Sequence, residues 1–203
     1  MLRLMTRFAF SLSLFAFLTG CLVLSGSSVG AQAPAAQAKR PDAPQLAPYV
    51  PTPEGVVDRM LALADVKKSD VLIDLGCGDG RIPIAAARKF GARGLGVDID
   101  PQRIAEANAN AKAAGVTHLV EFRLQDAMKT DVSHATIVTT FLLSASNLKL
   151  RPLLTAQLKP GSRIVAHNFS FGDWTPAKYD TFKDAEGRTR TLYLYIADGK
   201  VRQ

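Results

Sequence analysis

The chain has 203 residues, 47% of them hydrophobic and 21% charged, and carries a net charge of +7. That composition excludes a low-complexity chain or a disulfide-dense scaffold and leaves room for one domain with one core. Arg3 and Arg7 lie in the first ten positions; without them 23 basic residues face 18 acidic ones. There is no arginine-rich run and no interleaving of aromatic and basic residues, so the surplus reads as solubility and no specific nucleic-acid partner is expected.

Residues 1–31 read as a targeting segment. A basic start, MLRLMTR, is followed by an apolar run from Phe8 to Leu18 and by small residues ending in Val29-Gly30-Ala31. This pattern predicts a secretory signal cleaved after Ala31 and an exported, periplasmic domain. Two alternatives stay open. Leu18-Thr19-Gly20-Cys21 resembles a lipobox, which would make Cys21 a lipidated N-terminus. The 17 residues from Phe8 to Leu24 could also act as an uncleaved anchor, with the domain facing either way. The membrane enters only through this segment. Cleavage after Ala31 would leave Cys77 as the sole cysteine, with no disulfide. Residues 32–47 are rich in Ala, Pro and Gln and read as a flexible linker, so the folded domain is expected over 48–203.

Within that domain, Thr52 is expected as an N-cap and Pro53 as the first position of a helix with Val56, Val57, Met60, Leu61 and Ala64 on one face. Val71–Leu75 reads as a buried strand that runs into a glycine-punctuated turn, Gly76, Gly78 and Gly80, and then into a helix over Arg81–Phe90 stopped by Gly91. Gly94–Val97 is a second strand. Asp100 caps the next helix, Pro101 takes its first position and Gly115 closes it. Val120–Arg123 and Ala135–Leu142 are strands three and four. Asn147–Leu158 is a helix, Arg163–His167 is strand five, and Tyr179–Lys183 with Thr189–Ala197 form a hairpin around DAEG. Strands joined by helical crossovers predict an α/β fold. It would be a Rossmann-like, seven-stranded, mostly parallel sheet with helices on both faces and a C-terminal antiparallel hairpin.

The spacing in DLGCGDGR decides which ligand the turn suits. A dinucleotide fingerprint needs its third glycine three residues after the second, where Arg81 stands; here Gly80 comes two after. An acidic residue two before G-x-G-x-G resembles motif I of the S-adenosylmethionine (SAM) methyltransferases. That resemblance implies SAM as cofactor, with the glycines allowing close backbone approach. Strands one, two and three end in Asp74, Asp98 and Asp126, at the sheet edge where α/β proteins bind ligands. Asp98, with Ile99 beside it, is expected to accept from both ribose hydroxyls. Asp126 is expected to accept from the adenine amino group with Ala127 offering its backbone, and Asp74 to face the methionine ammonium. Gly76, Cys77, Gly78 and Gly80 complete the predicted cofactor set. No His, Cys or carboxylate cluster has metal-ligand spacing, so no metal is expected.

The resemblance also extends further along the chain. PYVPTP, DLGCGDGRI, GVDIDPQRIAEANANAKAAGV, the FLL…NLKLRP stretch, LKPGSRIVAHNF, GDW and TLYLYIA run in order from Pro48 to Ala197. Together they resemble the archaeal broad-specificity protein-lysine methyltransferases and their bacterial relatives and, more distantly, the mitochondrial family that methylates a lysine of the ATP-synthase c-ring. The resemblance implies methyl transfer to a lysine nitrogen of a protein or peptide. A small-molecule acceptor and a non-enzymatic envelope module that keeps a nucleoside-binding fold stay as alternatives. Around the acceptor it implies Tyr49 and Thr52; Phe141, Ser144 and Asn147; and His167, Asn168, Phe169 and Trp174, with no strong general base among them. Relatives tend to carry acidic residues where Asn168 and Ser170 stand here, a departure that bears on the lysine assignment and not on SAM.

Overall fold

The structure, a computed structural model, describes residues 39–203. The expected leader, the Cys21 lipobox, the alternative anchor and residues 32–38 of the linker lie outside the described residues. Among those that are described, no helix is long and apolar enough to cross a membrane.

The elements follow in the order α1 (Glu54–Leu63), β1 (Val71–Leu75), α2 (Arg81–Phe90), β2 (Arg93–Asp98), α3 (Pro101–Ala113), β3 (Val120–Leu124), β4 (Ile137–Thr140), α4 (Ser144–Gln157), β5 (Arg163–His167), β6 (Lys178–Lys183) and β7 (Thr189–Ile196). One seven-stranded sheet has the order β3-β2-β1-β4-β5-β7-β6. β1 to β5 run parallel, and β7 is antiparallel to both β5 and β6. This is the predicted fold.

β1 is apolar on both faces because both are covered. Leu72 packs with Val56, Val57 and Met60 of α1 and Ile82 and Ala86 of α2, while Ile73 and Leu75 pack with Leu150 and Leu154 of α4. Truncating such fully enclosed residues to Ala costs about 2–5 kcal/mol each. α3 lays Ala107 and Ala111 on Val120 and Phe122 of β3. The chain reverses order after β1, so the carboxyl ends of β1, β2 and β4 flank a crevice.

Four local expectations change. Thr52 does not cap α1: Pro53 occupies the cap position, and the Thr52 side chain is buried. β4 is shorter than expected, ending at Thr140. α4 starts earlier, at Ser144, because the Leu143 carbonyl already accepts from the N–H groups of Ser146 and Asn147. Residues 39–47 have no helix or strand, as a linker would, yet they are seated on the domain. Leu46 and Ala47 pack against the α4-side core, and Ser146 Oγ donates to the Leu46 carbonyl. The apolar side chains of the two residues immediately before PYVPTP are the physical reason.

Candidate functional site

The turn after β1 folds over the end of β2. Gly76 and Cys77 N–H both donate to the Val97 carbonyl at 2.9 Å, and Gly80 N–H donates to the Cys77 carbonyl at 3.0 Å. Gly78 N–H donates to one oxygen of Asp98 at 2.9 Å, and Asp100 N–H donates to the other at 3.0 Å. Asp98 therefore fixes the glycine turn and the start of α3 together. Gly76, Gly78 and Gly80 have φ of +82°, +54° and +79°, a region costly for any residue with a Cβ. Close ligand approach is the role expected of these glycines, and each has a protein neighbour as well. A Cβ on Gly80 would lie 2.6 Å from the Phe122 ring, and one on Gly78 would lie 2.5 Å from the Tyr49 ring. Gly80 serves packing and does not border the crevice.

The crevice, partly open to solvent, is bordered by Asp74, Gly76, Cys77 and Gly78 from β1 and its turn, by Asp98 and Ile99 after β2, and by Asp126 and Ala127 after β3. Asp74 is buried and accepts from Thr139 Oγ1 at 2.7 Å. Burial pushes its carboxyl up to about 7, Asp98 and Asp79 add to the rise, and the Thr139 bond opposes it. A ligand cation beside Asp74 would favour its ionised form. Asp98 uses one acceptor position per oxygen on the backbone, which leaves the others for a ligand. One oxygen of the buried Asp126 accepts from Met128 N–H at 2.9 Å, and the other bonds to no described residue. Burial, with Asp74 and Asp98 nearby, pushes the Cys77 thiol well up, so it stays protonated and unreactive. A buried carboxylate, two further carboxylates with open acceptor positions and a tight glycine turn fit a ligand with a cationic end and a nucleoside end, as in SAM. Sequence reasoning missed Arg103, Gln125 and residues 44–47, which also border the crevice. Arg103 stands in the first turn of α3, and nothing in the sequence singled it out.

The acceptor candidates divide. Tyr49, Thr52 and Phe141 border the crevice. Ser144 is exposed at the start of α4 and does not border it. Asn147 is fully buried, with Nδ2 donating to the Phe169 carbonyl at 2.8 Å and Oδ1 unpartnered. His167 is fully buried; its ring centroid lies 3.9 Å from that of Phe141, and neither ring nitrogen has a partner. Burial, reinforced by Arg190, pushes the imidazole down to about 4, so it is neutral and too weak a base to take a proton from an ammonium. Asn168 adopts φ +61° and joins β5 to β7, donating its N–H to Thr191 O and accepting from Thr191 N–H at Oδ1. Trp174 is core, packed against Phe171 and Tyr195 under the Arg202 guanidinium, because GDW folds back onto the α4 side of the sheet. Neither Asn168 nor Trp174 borders the crevice.

Comparison with known proteins gives a consistent family. The family profile described as the ANTKMT methyltransferase domain matches residues 74–178. The chain is 45% identical over 150 residues to a protein-lysine N-methyltransferase of Saccharolobus islandicus, covering 73% of this chain and 92% of that one. It is 30% identical over 129 residues to the human lysine N-methyltransferase of the ATP synthase c-subunit, covering 64% of this chain and 54% of the relative. Among solved structures it resembles an RNA methyltransferase from Salinibacter ruber in complex with S-adenosyl-L-homocysteine. The TM-score is 0.70 and the identity 52%, over 76% of this chain and 97% of that one.

Proposed function

The chain belongs to the ANTKMT methyltransferase domain family and is a SAM-dependent methyltransferase, and from that premise we propose that it methylates lysine side chains of protein. The observation that carries the acceptor is the 45% identity to a protein-lysine methyltransferase across 92% of that relative's length. It is supported by a crevice that is bordered by carboxylates at the strand ends and, from the acceptor candidates, by Thr52 and Phe141.

Bound SAM supplies a methyl group already activated on a sulfonium, so the residues here have to position, desolvate and discriminate. Asp98 and Asp126 are proposed to hold the nucleoside, and Asp74, braced by Thr139, to hold the ammonium. Fixing the reactants in line can supply up to about 7–11 kcal/mol of a barrier. The attacking lysine must be neutral; from a pKa near 10.4, removing its proton at pH 7.4 costs about 4 kcal/mol. His167 is too weak a base to take that proton. The apolar flank at Phe141 instead disfavours the ammonium and lowers that cost.

A nucleic-acid acceptor is the second reading, favoured by the relation to the Salinibacter protein. One experiment separates the two. The purified chain is incubated with methyl-labelled SAM and a cell lysate, then split into protease-treated and nuclease-treated arms. Label lost to protease and located on lysine by mass spectrometry is the expected result. Label lost only to nuclease would overturn the lysine reading.

A further inference from the structure

Residues 44–52 cross the crevice as a strap held by side chains. The described structure shows no backbone-to-backbone hydrogen bond from this segment to the rest of the domain. Prolines at 41, 44, 48, 51 and 53 keep it extended and stiff. Its attachments are the packing of Leu46 and Ala47 on the core, the buried Thr52 side chain, the Ser146 hydroxyl on the Leu46 carbonyl, the Arg81 guanidinium on the Thr52 carbonyl at 2.7 Å, and the Tyr49 ring. That ring rests on Gly78, in the space a Cβ would fill, and the Arg103 guanidinium lies 4.4 Å above its centroid. Arg103 is itself fixed on α3 by Glu106 at 2.7 Å and by Asp100. Tyr49 is thus sandwiched between the glycine turn and α3, the two elements whose relative position Asp98 sets through Gly78 and Asp100.

We propose that Tyr49 and Arg103 form a latch that closes the 44–52 strap over the bound cofactor and governs how fast it leaves. The strap can lift without breaking the sheet, because only side-chain contacts hold it. Its latch sits on the cofactor elements, so occupancy of the crevice and closure of the strap reinforce each other. Tyr49 and Arg103 are positioning residues in this account: they retain the cofactor and take no part in methyl transfer.

The test uses the full chain with S-adenosylhomocysteine as probe and needs no acceptor, so its failure leaves the lysine reading standing. Two quantities are measured: the rate of probe release and the rate at which chymotrypsin cuts after Tyr49, with and without the probe. The probe should slow cleavage of the wild type. Arg103→Met should lose that protection and release the probe about tenfold faster, the scale of a partly desolvated cation–ring contact. Arg103→Lys, which keeps the cation, should restore most of the retention. Tyr49→Phe, which keeps the ring and the cleavage site, should behave as wild type, and Tyr49→Ala, which removes that site and is read by release alone, should release the probe as fast as Arg103→Met, while the unfolding temperature without probe stays unchanged. Wild-type release rates in Arg103→Met and Tyr49→Ala would overturn the latch. So would cleavage after Tyr49 that ignores the probe, or a lysine variant as fast as the methionine one.

Discussion

Asp74 at the end of β1 and His167 at the end of β5 are two buried titratable groups on one face of the same sheet, shifted in opposite directions. The register pairs Asp74 with Thr139 and Thr139 with Val165, two residues before His167, so all three side chains share a face. Burial raises the carboxyl and lowers the imidazole, which makes the neutral form of each favourable in the folded chain. The difference lies in what borders them. Asp74 faces the crevice, where a cationic ligand would favour its charge. His167 is shut behind Phe141 and stays neutral. The cofactor end of the site is built from charge, and the end near β5 from its exclusion.

The largest expected effect is on the cofactor side. Asp98→Ala removes the acceptor for Gly78 and Asp100 along with the proposed ribose contacts. At about 1.5–3 kcal/mol per charge-assisted bond, SAM affinity measured by calorimetry should fall at least about 100-fold.

Asp74→Asn should separate stability from binding. The folded pKa of about 7 lies above the ordinary 3.8, so the folded state holds an extra proton between those values. Stability from this group is full below about 3.8 and is lost as pH rises through about 7. Above that pH the amide, which can still accept from Thr139, should stabilise the ligand-free protein by up to about 4 kcal/mol in urea unfolding. It should bind SAM more weakly at the same time. Equal loss of both would contradict the role given to Asp74.

His167 should show the opposite slope. Its folded pKa of about 4 lies below the ordinary 6.5, so its stability contribution is full above about 6.5 and is lost as pH falls through about 4. Wild type should lose about 2 kcal/mol from this group between pH 6.5 and 5. His167→Gln, neutral throughout, should flatten that part of the profile. An unchanged slope would mean that the imidazole is not sealed behind Phe141.

Gly80→Ala should act on stability alone. The positive φ and the contact with Phe122 should destabilise the fold by about 1–3 kcal/mol, read as a lower unfolding temperature. SAM affinity at saturating fold should hold, since Gly80 does not border the crevice.

The cofactor half was legible in the sequence because it is local. Asp74, the glycines, Asp98 and Asp126 each sit at a strand end that hydrophobic runs and turn residues reveal. The other half was not, because long-range packing decides it. Nothing near Trp174 in the sequence says that it will fold back onto Phe171 and Tyr195. Nothing near Asn168 in the sequence says that it will pair with Thr191 of β7. Residues 44–47 read as linker because proline and alanine hide two small apolar anchors, Leu46 and Ala47. Arg103 looked like an ordinary helix-surface cation, and its role depends on a ring 54 positions earlier in the chain.

The most direct test of the central claim is a calorimetric titration of the purified chain with SAM at pH 5.5 and at pH 7.5. A cofactor site built around Asp74 predicts saturable binding at both, tighter at pH 7.5, where the carboxyl is more fully ionised. No heat at either pH from a cooperatively folded sample would contradict it.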